Sequence, residues 1–131
     1  MKTLDPEDLN VLRRLTDRLV ATTISKGFRE PPPMITHAVW ESEALKPVRV
    51  AIFTANLHGE TSELWEAARK GQLDKPCDKT PGLTCAEEEI ADIIIRALDL
   101  AHFLKVDPAR AIALKAEYNE SRPFRHGGKL L

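Results

Sequence analysis

The sequence predicts an all-α domain, a four-helix-type bundle with a proline-rich segment after its first helix. Three observations carry that expectation. Leucines recur at helical spacing near the amino terminus. Residues that start and stop helices divide the chain into four long segments. The one stretch rich in β-branched residues, "VRVAIFTANL", has no partner strand elsewhere, so it reads as helix.

The first helix begins at Asp5-Pro6, an N-cap followed by proline where a missing N–H costs nothing. Leu9, Leu12, Leu15 and Leu19 form its apolar stripe, Arg13, Arg14 and Asp17 face outward, and it ends near Gly27. Three prolines in "FREPPPM" then forbid a regular helix, and "ITHAVWESEAL" adds a short helical piece before Pro47. The second long helix covers about residues 47–70, with Gly71 beyond its end. A Pro- and Gly-containing loop, "GQLDKPCDKTPGL", leads to the third, which opens with Thr84 and Glu87 at capping-box spacing. Asp107-Pro108 starts the fourth, which stops near Pro123, and a basic tail, "FRHGGKLL", follows.

At 131 residues the chain fits one domain, residues 1–131. With 43% hydrophobic and 30% charged residues its composition is that of a globular protein. A net charge of −1 argues against nucleic acid or an anionic membrane as partner. The start, "MKTLDPEDLN", does not resemble a secretory signal, and no apolar run approaches the roughly 18 residues of a membrane span. Cys77 and Cys85 are the only cysteines and the four histidines are scattered, so zinc is not expected; reduced thiols and a cytoplasmic location are.

The chemistry lies in carboxylates. Glu60 and Glu63 share a face of the second helix, and Glu89 and Asp92 a face of the third. In the third helix the polar line Glu89, Asp92, Arg96, Asp99 is narrow and flanked by Ile90, Ile93, Ile94, Ile95, Leu98 and Leu100, so part of it should face the interior. Glu66, Glu87 and Glu88 read instead as solvated surface acids. Four converging acids repel one another unless a cation lies between them. An all-oxygen set suits Mg²⁺, with Mn²⁺ as a possible substitute.

These two acidic pairs, with "EEEIADIIIRALDLA" and "KAEYNESRPFRHGGK", resemble the MazG-type all-α nucleoside triphosphate pyrophosphohydrolases. That family carries E-x-x-E on one helix and E-x-x-D on the next, and the resemblance spans residues 56–129. One departure is Gly59, where many members have an acid before the first motif. The resemblance implies a cytoplasmic enzyme of nucleotide housecleaning. It hydrolyses a (d)NTP to (d)NMP and pyrophosphate by attack of a metal-activated water at the α-phosphorus. Glu60, Glu63, Glu89 and Asp92 hold the metal, and Glu60 or Glu63 is the catalytic base.

The substrate phosphates then need cations. Lys115, Asn119 and Arg122 share one face at the end of the fourth helix, and Arg125, Lys129 and Arg96 are further candidates. Trp65 and Trp40 could stack on the base, and His37 and Asn56 could read its edge or the sugar. The apolar excess of the second and third helices would be buried by a symmetric dimer, and the resemblance implies a homodimer or a dimer of dimers, with the neighbouring chain completing the base pocket. Two other readings compete: a non-catalytic helical dimerisation module whose acids form salt bridges, and a di-iron carboxylate bundle, for which Asp99 and His102 are the sole approximation to the needed motif.

Overall fold

The computed structural model describes residues 4–128 and is an all-α assembly of several packed helices. The four long segments form as helices: α1 (Pro6–Ser25), α3 (Lys46–Arg69), α4 (Cys85–Phe103) and α5 (Pro108–Ser121). A one-turn helix, α2 (His37–Trp40), and a 3-10 turn at Glu43–Leu45 form where a short helical piece is expected, and a further one-turn helix, α6 (Arg125–Gly128), lies in the segment read as a tail. Among the described residues no helix is long and apolar enough to cross a membrane.

Local chemistry sets the boundaries. Asp5 caps α1 by accepting the Glu7 N–H at 2.8 Å. Thr84 and Glu87 complete a capping box at the start of α4. Asp107 accepts the Ala109 and Arg110 N–H groups at the start of α5 and is bound by Arg13 of α1 at 2.8 Å. Gly71, with φ of 62°, follows α3 in the left-handed conformation that a glycine adopts without strain.

The main packing unit is the α3–α4 pair, joined across its interface by stacked Phe53 and Phe103, centroids 4.7 Å apart. α1 packs against both α4 and α5. Of the α1 leucine stripe, Leu9, Leu12 and Leu19 are half-buried and Leu15 is exposed, while Thr16 and Val20 are the buried residues of that helix. Thr16 is tolerated there because its hydroxyl donates to the Leu12 carbonyl at 2.8 Å.

The proline-rich segment is fastened by Trp40 and Arg49. The buried Trp40 indole N–H donates to the Arg29 carbonyl at 3.2 Å, and the buried Arg49 guanidinium donates to the Trp40 and Ser42 carbonyls. The loop after α3 is pinned by an isolated antiparallel bridge between Pro76 and Thr84, with the Cys77 N–H on the Leu83 carbonyl and the Cys85 N–H on the Lys75 carbonyl. Cys77 and Cys85 are free thiols.

Candidate metal centre and adjoining cavity

Successive turns of α3 place Glu60 and Glu63 on the side that meets α4, where Glu89 approaches them. One carboxylate oxygen from each of the three lies within 4.8 Å of the others, and among the described residues no histidine or cysteine joins the group. Such a triad can hold a metal ion. Asp92, the fourth expected ligand, falls outside this grouping, one turn along α4 from Glu89.

The three acids differ in environment. Glu63 is exposed, with the Lys79 ammonium 3.8 Å away. Glu60 is only 13% exposed at its side chain and accepts a hydrogen bond from Arg96 Nε at 3.0 Å. Glu89 is 9% exposed, and its Oε2 has no hydrogen-bond partner among the described residues. Burial first, and the Glu63 charge second, push the Glu89 carboxyl above its usual range, although Lys79 opposes them. Asp92 is likewise pushed up, by burial and then by the Glu60 charge. Lys79 is held up, chiefly by Glu63 and next by Glu89. The site therefore carries more negative charge than its own side chains balance comfortably, and a hard cation fits the orphaned oxygen.

The polar line of α4 does turn inward, as its narrowness implied: Glu89 and Asp99 are buried and Asp92 and Arg96 half-buried. Its partners are not the expected ones. Arg96 binds Glu60 rather than Asp92 or Asp99, and Asp99 is paired with Arg29 at 2.5 Å. Glu88 requires correction as well. It is buried rather than solvated and accepts the Thr80 hydroxyl at 2.8 Å, which ties the α3–α4 loop to α4. Glu87 is exposed, as expected, and hydrogen bonds from Thr84 hold its carboxyl low.

Beside the acids lies a cavity of about 160 Å³, lined by Arg96 and walled by Phe28, Trp40, Phe53 and Phe103. Asn56 lines it too. Trp40 contributes its ring but is also a core residue whose N–H is already engaged. Trp65 is 65% exposed and is not part of the cavity wall. His37 is exposed, its Nε2 3.1 Å from Glu30.

The cations expected to meet phosphate are elsewhere. α5 packs against α1; Lys115 stands 4.5 Å over the ring of Tyr118 on its own helix, and Arg122 5.8 Å over the same ring. Asn119 is exposed. Arg125 lies over Phe124, and Lys129 is outside the described residues. Of the expected phosphate contacts among the described residues, Arg96 is the one that pairs with one of the acids. Sequence reasoning missed Arg29, Arg49 and Lys79, and no periodic signal marked them: two sit in or beside loops, and Arg49 lies in a helix read for its apolar residues.

Comparison of the chain with known protein families, with characterised proteins and with solved structures finds no match.

Proposed function

We propose that this chain is a divalent-cation-dependent nucleoside triphosphate pyrophosphohydrolase that converts a (d)NTP to (d)NMP and pyrophosphate. The observation that carries the reading is the unpartnered Glu89 Oε2, buried where Glu60 and Glu63 converge on it. A buried acceptor without a partner costs roughly 1–3 kcal/mol, and a cation removes that cost. The likeness of the two acidic pairs to the MazG-type motif supplies the reaction.

Glu60, Glu63 and Glu89 hold the ion, and Asp92 adds negative charge beside them. Bound Mg²⁺ supplies neutralisation of the phosphate oxygens and activation of the attacking water. The chain's own groups do the rest. Glu60 or Glu63 accepts the proton. The aromatic cavity takes the base, excludes water and orients the sugar past Asn56. Arg96, between cavity and acids, meets the phosphates. Assembly belongs to the same reading. Ile52, Ile90, Ile94 and Trp65 are all more than two-fifths exposed on α3 and α4, and a homodimer or dimer of dimers would cover them.

One observation favours a second reading, in which the acids serve only to hold helices and loops together in a non-catalytic module. Arg96 on Glu60 and Lys79 near Glu63 are the paired cations such a module needs. The di-iron alternative gains nothing, because the acidic group contains no histidine and His102 Nδ1 lies 3.3 Å from the Arg29 guanidinium.

Calorimetric titration with Mg²⁺ and Mn²⁺, followed by pyrophosphate release from dCTP, dUTP and oxidised dGTP, separates these readings. The enzyme binds metal and releases pyrophosphate from at least one nucleotide. The interaction module does neither.

A further inference from the structure

Resting on the metal site proposed above, we propose that Arg96 is its resident counter-cation. Its guanidinium occupies Glu60 in the metal-free chain, gives that carboxylate up when a divalent ion enters, and turns to an anionic group of the ligand in the adjoining cavity.

Three placements support this. Arg96 Nε donates to Glu60 Oε1 at 3.0 Å, so its positive charge sits on one of the three carboxylates that could hold an ion. Its guanidinium carbon also lies 5.6 Å from the Phe28 ring centroid, and the residue lines the cavity. It therefore has somewhere to rest when it leaves Glu60, an aromatic face that favours a cation without demanding a fixed hydrogen bond. Third, Arg96 is half-buried, with 28% of its side chain exposed, whereas Lys79 at Glu63 is 70% exposed. Water screens the lysine charge and lets its long stem swing away at little cost. The arginine cannot withdraw into bulk solvent so easily, and a guanidinium held near a divalent ion in a half-buried site repels it strongly. Of the two cations, Arg96 is the one that controls occupancy.

The exchange works in both directions. A ligand phosphate that binds the Arg96 guanidinium bidentately releases Glu60 for metal, and metal at Glu60 releases Arg96 for phosphate. Ion and ligand then help each other to bind. Arg96 is a positioning residue toward the metal and a binding residue toward the anion.

The test uses the full chain and two probes, Mn²⁺ alone and the nonhydrolysable α,β-imido analogue of dUTP with Mn²⁺ present, each titrated into wild type and Arg96→Met. The variant should bind Mn²⁺ alone about three- to tenfold more tightly, the range that loss of a half-buried ion pair supports, and should bind the triphosphate more weakly. A merely structural arginine would not produce that crossing of affinities. Mn²⁺ binding that is equal or weaker in the variant, or triphosphate binding that is not weakened, overturns the exchange and leaves the metal site standing. No Mn²⁺ binding in either protein overturns both. Should the variant not fold, the wild type answers through the Arg96 Nε–H resonance. Diamagnetic Mg²⁺ should shift it and speed its exchange with water, and an unmoved, equally protected signal at saturation overturns the proposal.

Discussion

Glu89 concentrates the electrostatic tension of this molecule in one side chain. Its Oε2 is buried without a partner, and its carboxyl is held high by burial and by Glu63. Glu89→Gln should raise the stability of the metal-free protein by about 1 kcal/mol at neutral pH, since it removes a charge that the site does not balance. The same substitution should abolish the Mg²⁺-induced rise in Tm; a retained rise in differential scanning fluorimetry would place the ion elsewhere. The pH dependence follows from the same group. Raised carboxyls bind protons more tightly in the folded than in the unfolded chain. Glu89 and Asp92 therefore add stability that is complete below the unfolded carboxylate range and lost as pH rises through their raised values. Asp107, held low by the Arg13 hydrogen bond, and Glu87, held low by Thr84, act oppositely. They add stability above the unfolded range and lose it as pH falls through their lowered values. Bound at the proposed site, Mg²⁺ would relieve only the first pair, so its effect on Tm should grow as pH rises from the unfolded carboxylate range through their raised values. A constant effect over that interval would argue against these acids as its site. At this scale the sequence was informative about acids and silent about their partners. Helical spacing pairs Glu60 with Glu63 and Glu89 with Asp92; that the pairs meet was inferred from the need for a cation, and of the four only Glu60, Glu63 and Glu89 converge. Arg29 meets Asp99 and Lys79 approaches Glu63 only because loops bring them there, and loop geometry leaves no periodic trace.

At the scale of the element, α3 and α4 carry opposite lessons. α4 is closed at its start by a reciprocal cap, Thr84 Oγ1 accepting from the Glu87 N–H while Glu87 accepts from the Thr84 N–H at 2.8 Å. The spacing of Thr84 and Glu87 announced it. Thr84→Ala should cost about 1 kcal/mol in urea denaturation, and because the cap sits one turn before Glu89, metal affinity should fall as well. α3 has a weak point at Gly59, midway along and beside Glu60. A Cβ there would meet nothing within 4 Å, and the glycine is not in the left-handed region. Gly59→Ala should therefore stabilise the chain by about 0.5–1 kcal/mol. A loss of stability instead would show that another chain approaches closely at that position. The boundaries of α1, α3, α4 and α5 were legible because caps, prolines and Gly71 are chemical stops. The face that each helix buries was less so: on α1, Thr16 takes a core position because its hydroxyl bonds within the helix, an option that apolar periodicity does not count.

For the whole molecule, the decisive quantity is apolar surface left uncovered. The buried apolar residues of the described chain are Val20, Trp40, Leu98 and Ala109, while Ile52, Ile90, Ile94 and Trp65 on the central helix pair remain open. Isoleucines that flank a buried acidic line have no reason to face water in a lone chain. Sedimentation velocity at micromolar concentration should show a dimer or a dimer of dimers, and Ile94→Asp should shift it toward monomer. A wild type that sediments as monomer would mean that a single chain carries the acids and cavity unaided. Sequence could suggest this excess but not its location, since which helix packs against α4 besides α3, here α1 and not α5, is decided only by packing.

The contrast between the two tryptophans has a practical outcome. Trp40 is 8% exposed, hydrogen-bonded and set in the cavity wall, while Trp65 is 65% exposed on the outside of α3. The protein thus carries two intrinsic fluorophores with separate duties. Trp40 should emit blue-shifted light that iodide does not quench and so report on the cavity, and Trp65 should emit red, quenchable light only while the outer face is uncovered, losing it as a second copy comes to rest there. Single Trp→Phe replacements would let ligand entry and self-association be followed independently, in one cuvette, without any dye.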